Sequence, residues 1–227
     1  MTGITHATAL WYASRATGVV TLVLLTAVVV LGMMVNRQGR LPGLPRFAVT
    51  GLHRNISLLS VAFLAIHVVT AIADPYVTIG LAATVIPFAS PYTPLWLGLG
   101  AVSLDLIAAL ILTSLARGRM GRRAWRGIHW LAYAAWPLAV LHSLGSSTDM
   151  HSGVMLAVLI GCVLAACAAL AWRLSRAARE IPRARRAATA LTQMSQMSSP
   201  MPRRPATPAF ANEPANRLMT AQKAARR

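Results

Sequence analysis

The chain has 227 residues, 56% hydrophobic and 12% charged, with a formal net charge of +17 and a mean hydropathy of +0.57. Soluble domains carry about 25% charged residues, so this composition excludes an ordinary water-soluble fold. The basic excess has no aromatic interleaving and no nucleic-acid-binding motif beside it, which argues against nucleic acid as a partner; a basic flank against a cytoplasmic membrane surface accounts for it more simply.

Five stretches are long and apolar enough to predict membrane-spanning helices, at about 16–35, 51–73, 95–115, 128–146 and 152–172. The first is too long for a signal-peptide core and has no basic segment ahead of it, so it is read as a helix of the mature protein. Between the second and third lies "YVTIGLAATVIPFASPY", residues 76–92, an apolar run interrupted by Pro87 and too short for a span. Thr93 followed by Pro94 predicts the start of the third helix, as N-cap and first-turn proline.

Charge sets the orientation. The loop at 36–50 carries Arg37, Arg40 and Arg46, and that at 116–127 carries Arg117, Arg119, Arg122, Arg123 and Arg126. The loops at 74–94 and 147–151 carry no Lys or Arg. Five spans put both basic loops and the basic tail on one side, which predicts an all-α five-helix transmembrane bundle with its N-terminus outside and its C-terminus cytoplasmic. Residues 1–172 form the membrane domain in this reading. Residues 173–227 form a basic cytoplasmic tail, with 173–190 a collar on anionic headgroups and the part beyond about 187 disordered. Cys162 and Cys167 fall on one predicted helix about 140° apart, too far round for a bridge.

The second predicted helix carries His53 and His67, fourteen residues apart; the fourth carries His129 and His142, thirteen apart. Both helices follow basic loops and so run in the same direction. His53 and His129 then lie near the cytoplasmic ends, and His67 and His142 about 20 Å further out. Ionisable groups inside a membrane are costly and mark function. Neutral imidazole is a good iron ligand, and a flat macrocycle held between two helices takes one axial ligand from each. Two levels of paired imidazoles therefore point to two bis-histidine haems. Spacing of fourteen keeps His53 and His67 on one face, whereas thirteen leaves His142 off the face of His129 unless Pro137, between them, rotates the helix.

These features resemble the ferric reductase-like transmembrane domain family, which includes the membrane cores of NADPH oxidases, ferric reductases and the haem subunit of a periplasmic methionine sulfoxide reductase. The resemblance rests on "HRNISLLSVAFLAIH", on "HWLAYAAWPLAVLH" and on the basic approach "LTSLARGRMGRRAWRGIHW". It implies two haem b groups as cofactors, the inner held by His53 and His129 and the outer by His67 and His142. The chain has no segment for a flavin or NAD(P) domain of its own. The expected function is electron transfer across the cell membrane, by a multi-pass b-type cytochrome that serves as an oxidoreductase component. The donor would be a separate flavoprotein reductase or a quinol, and the acceptor ferric iron, oxygen, or an extracytoplasmic flavoprotein or reductase. A quinol-fed subunit of a two-component reductase is the alternative. A small transporter or proton path using the histidines without haem, or a membrane scaffold, would be readings from other classes.

Arg54 and Arg126 flank the inner histidines and suit haem propionates, since arginine pairs well with carboxylates. Asp105, in the middle of the third helix, is a candidate acceptor for a ligating histidine, a proton relay, or a protonated acid bonded to a neighbouring helix. Asp149 and His151 are read as a solvated loop pair. Trp11, Tyr12, Tyr76, Tyr92, Trp96, Trp125 and Trp172 cluster near helix ends as an interfacial belt.

Overall fold

A computed structural model describes residues 2–36, 45–75, 79–146 and 153–198. Every regular element among them is helical: α1 (Thr2–Asn36), α2 (Arg46–Ala73), α3 (Leu81–Val85), α4 (Pro94–Leu115), a 3₁₀ turn (Ala116–Gly118), α5 (Arg122–His129), α6 (Ala132–Ser146) and α7 (Gly153–Ser198). The expectations for Tyr76, Asp149 and His151 fall outside the described residues.

Four helical stretches are long and apolar enough to cross a membrane: Ala9–Met34, Phe47–Ala73, Pro94–Gly118 and Gly153–Arg176. Of the segment at 76–92, the described residues 79–92 include the five-residue α3, which folds against α4. The predicted span at 128–146 differs from expectation. It is broken at Trp130 and Leu131 into α5 and α6, and α6 has 15 residues, about 22 Å of helix.

The break shows in the hydrogen bonding. Trp130 N–H donates to Gly127, Leu131 to Ile128, Tyr133 to Trp130 and Ala134 to Leu131, all three residues back. Such turns advance about 120° per residue against about 100° in an α-helix. They bring His129 round toward the face of His142, which thirteen residues of ideal helix would not do. Pro137 sits inside α6, so the re-phasing occurs one to two turns before the position expected from sequence.

Helix starts are set by chain chemistry. Pro45 holds an extended backbone ahead of α2, and Pro94 occupies the first turn of α4. Thr93 precedes it as predicted, but its hydroxyl caps nothing. Its φ is +38° and its Oγ1 is buried without a hydrogen-bond partner, an uncommon backbone for a β-branched residue. Gly153 starts α7 at φ +67°, where glycine is the natural choice.

The chain divides into two compact units, Met1–Ala177 and Ala178–Arg227. In the first, α1 packs along α2, α4 packs along α6, and α1 also touches α6. A cluster of Leu22, Leu159 and Cys162, backed by Val140 and Leu144, ties α7 to α1 and α6. Trp136 Nε1 donates to Thr26 Oγ1 at 2.9 Å, and Ser103 Oγ to the Ala135 carbonyl at 2.9 Å. Large apolar side chains such as Phe47, Leu58, Leu112 and Leu164 are exposed, as lipid-facing positions should be. Cys162 is buried and Cys167 exposed, both free. The second unit is described to residue 198, and it is helical there. Ala, Arg, Leu, Gln and Met over 184–194 are good helix formers.

Candidate functional site: two levels of facing imidazoles

The four histidines meet as two pairs. His53 on α2 faces His129 at the end of α5, with ring centres 6.5 Å apart and ring planes at 71°. His67 on α2 faces His142 on α6, at 6.4 Å and 72°. The two levels have nearly the same geometry although the partner helix is broken between them.

Three of the four rings are oriented by the backbone of a neighbouring helix. His67 Nδ1 contacts the Ser14 carbonyl at 2.8 Å, His53 Nδ1 the Val28 carbonyl at 3.1 Å, and His142 Nδ1 the Trp96 carbonyl at 2.8 Å. A carbonyl only accepts, so Nδ1 carries the proton and Nε2 keeps its lone pair as a ligand. His129 differs. Its Nδ1 is buried with no hydrogen-bond partner, and its ring stacks on Trp125 at 4.9 Å and 23°.

Glycines make this close approach possible. A β-carbon on Gly18 would lie 2.9 Å from His67 Cε1, on Gly100 2.6 Å from His142 Nδ1, and on Gly32 3.4 Å from His53 Cε1. Gly18 and Gly32 are fourteen residues apart on α1, the spacing of His67 and His53 on the adjacent α2. That match was a readable signal in the sequence, and the histidine pattern alone passed over it.

Other expectations are redistributed. Asp105 is not the acceptor for a histidine, since three Nδ1 atoms use backbone carbonyls and the fourth has no partner. Arg54 and Arg126 are exposed at the His53/His129 level. Trp96 and Trp125 belong to the site rather than only to a belt: Trp96 supplies a carbonyl and packs its ring over Gly145, and Trp125 stacks on His129. Around His67 and His142 opens a cavity of about 290 Å³, lined also by Ser14, Arg15, Gly18 and Asp74. Arg15 lies 3.9 Å over the Trp11 ring, and Asp74 is buried. Neither had been picked out from sequence.

A first-row metal bonds an imidazole nitrogen at about 2.0–2.1 Å, so a metal shared by two facing rings sets their centres roughly 6 Å apart. Both observed separations meet this. Among the described residues no three His, Cys, Asp or Glu side chains gather as a metal site. Among the described residues each level thus offers two nitrogen donors. That donor set suits a metal bringing its own equatorial ligands, as iron does in a macrocycle.

A family model described as "Ferric reductase like transmembrane component" matches residues 17–140, taking in His53, His67 and His129 and stopping just short of His142. Comparison with curated proteins and with solved structures gave no match. The matched residues make up more than half of the chain and carry three of the four histidines together with Gly18, Gly32 and Gly100; the chain belongs to the ferric reductase-like transmembrane family.

Proposed function

We propose that this protein is a di-haem b-type cytochrome of the cell membrane that passes electrons between its two faces. In this reading five segments cross the membrane, the N-terminus is outside, and the C-terminal tail is cytoplasmic. His53 and His129 hold the inner haem and His67 and His142 the outer one. The observation that carries the reading is the pair of facing imidazoles at each of two levels, 6.5 and 6.4 Å apart.

Haem iron supplies reversible one-electron chemistry. The chain's own work is to hold and orient the ligands. The carbonyls of Ser14, Val28 and Trp96 fix the tautomer of three histidines and raise their basicity as ligands. Arg54 and Arg126 pair with propionates at the inner level. Arg15, in the cavity beside His67 and His142, takes that role at the outer level. The segments for binding a flavin or a nicotinamide are supplied by a separate reductase, or a quinol replaces them, and an extracytoplasmic acceptor takes the electron.

The test is a dithionite-reduced minus oxidised visible spectrum of the purified protein with haem counted per chain. Two low-spin b haems per chain are expected. One haem per chain breaks the two-level scheme. None, in cells that make haem, sinks the cytochrome reading in favour of a transporter or proton path.

A further inference from the structure

Three histidines sit in the same kind of seat, and the rule for it can be written from the backbone. Each seat is a glycine together with the carbonyl four residues earlier: Gly18 with Ser14 for His67, Gly32 with Val28 for His53, Gly100 with Trp96 for His142. The missing β-carbon lets the imidazole reach the helix surface, and the carbonyl then accepts its Nδ1–H.

On α1 the two seats are fourteen residues apart. The same step along α4 from Gly100 arrives at Ser114, with Leu110 four residues before it. This is where a fourth seat, for His129, would lie. Ser114 is exposed, and His129 Nδ1 has no partner. The adjacent threonine is not the obstacle. Thr113 Oγ1 donates to the carbonyls of Ala109 and Leu110, but Thr17 Oγ1 likewise donates to Ala13 and Ser14, and Ser14 still accepts from His67. Where the three seats have glycine, position 114 has serine and so a β-carbon. In place of a seat, His129 ends the eight-residue α5 and leans on Trp125, whose ring centre also lies 5.8 Å from the Arg117 guanidinium carbon.

We propose that the two levels hold their cofactors unequally by construction, with His129 as the labile ligand and Trp125 as its positioning residue, so that the inner haem is the exchangeable one. This rests on the di-haem reading above. An imidazole without a hydrogen bond on its second nitrogen is a less basic and less well-oriented ligand, and loss of such support costs about 10- to 100-fold in metal affinity. The outer level has both supports, and the inner level has one.

The experiment is haem transfer from the purified full-length holoprotein to excess apomyoglobin, followed by visible spectroscopy and checked by counting low-spin ferric signals in electron paramagnetic resonance. Two phases of equal amplitude are expected, separated by about 10-fold or more in rate. His53→Ala should retain only the slow phase and His67→Ala only the fast one. Trp125→Ala should accelerate the fast phase alone, while Trp125→Phe, which keeps a stacked ring, should leave it within about 3-fold of the parent. Loss of both haems at one rate, a fast phase that vanishes in His67→Ala, or a fast phase indifferent to Trp125→Ala would each overturn the proposal. Two haems leaving together overturn this inference and leave the cytochrome intact; a chain without haem overturns both.

Discussion

The His67/His142 level and the His53/His129 level present the same ring type at nearly the same separation, yet they are built differently. At the first, both rings press against glycines and both Nδ1 atoms reach carbonyls, inside a cavity that also contains Arg15 and Asp74. At the second, one ring is seated and the other rests on an indole at the end of a short basic helix. Equal ring separation therefore does not mean equal support. Ligand identity decides whether a metal can be held; the neighbours of the ligand decide how firmly.

The largest expected effect is removal of a ligand. His67→Ala or His142→Ala should lose about one of two haems per chain, counted as pyridine haemochrome, and retain the other level's spectrum. Loss of both from either variant would mean that the levels do not form independently.

The glycine seats should follow in order of closeness. Gly100→Ala, whose β-carbon would meet His142 Nδ1 at 2.6 Å, should empty the outer level most completely. Gly18→Ala, at 2.9 Å from His67, should weaken it, and Gly32→Ala, at 3.4 Å from His53, should change haem content little. If Gly32→Ala were as damaging as Gly100→Ala, the seats would be misread.

A spectroscopic consequence is subtler. Ring planes 71° and 72° apart predict strongly anisotropic low-spin ferric signals at both levels, because near-perpendicular axial imidazoles leave the iron d orbitals close in energy. Rhombic signals of the parallel-plane type would require the rings to turn on binding.

The smallest effect concerns framework rather than site. Trp136→Phe removes the bond to Thr26 between α6 and α1, worth about 1 kcal/mol. Thermal unfolding in detergent should shift by about 2–4 °C, with haem content unchanged at both levels. A change in haem content would mean that this contact also sets the distance between the histidine helices.

Much of this was legible in the chain. Apolar length marked the spans, because a bilayer demands about twenty consecutive apolar residues whatever surrounds them. Two histidines on each of two helices marked the site, since such groups are too costly in lipid to be incidental. The repeat of fourteen shared by Gly18/Gly32 and His53/His67 was legible as well, as a pairing of small residue with ring along two adjacent helices. The conformation of 128–146 was not. Its composition reads as one helix with a proline in it, and the run of three-residue turns at Trp130 and Leu131 depends on how α5 and α6 meet α4. Nor could sequence say which groups orient the histidines. Any carbonyl can accept a hydrogen bond, so composition points to the rarer carboxylate of Asp105, while packing chooses whichever backbone lies against the ring.

What this sequence determined by itself is a membrane protein with four imidazoles at two depths, because hydropathy and helical rise follow from residue order alone. What only the tertiary structure decided is which imidazoles face each other, which are seated against glycine and carbonyl, and that His129 is not. Those depend on the distance between helices distant in sequence, and that distance is set by side chains on both.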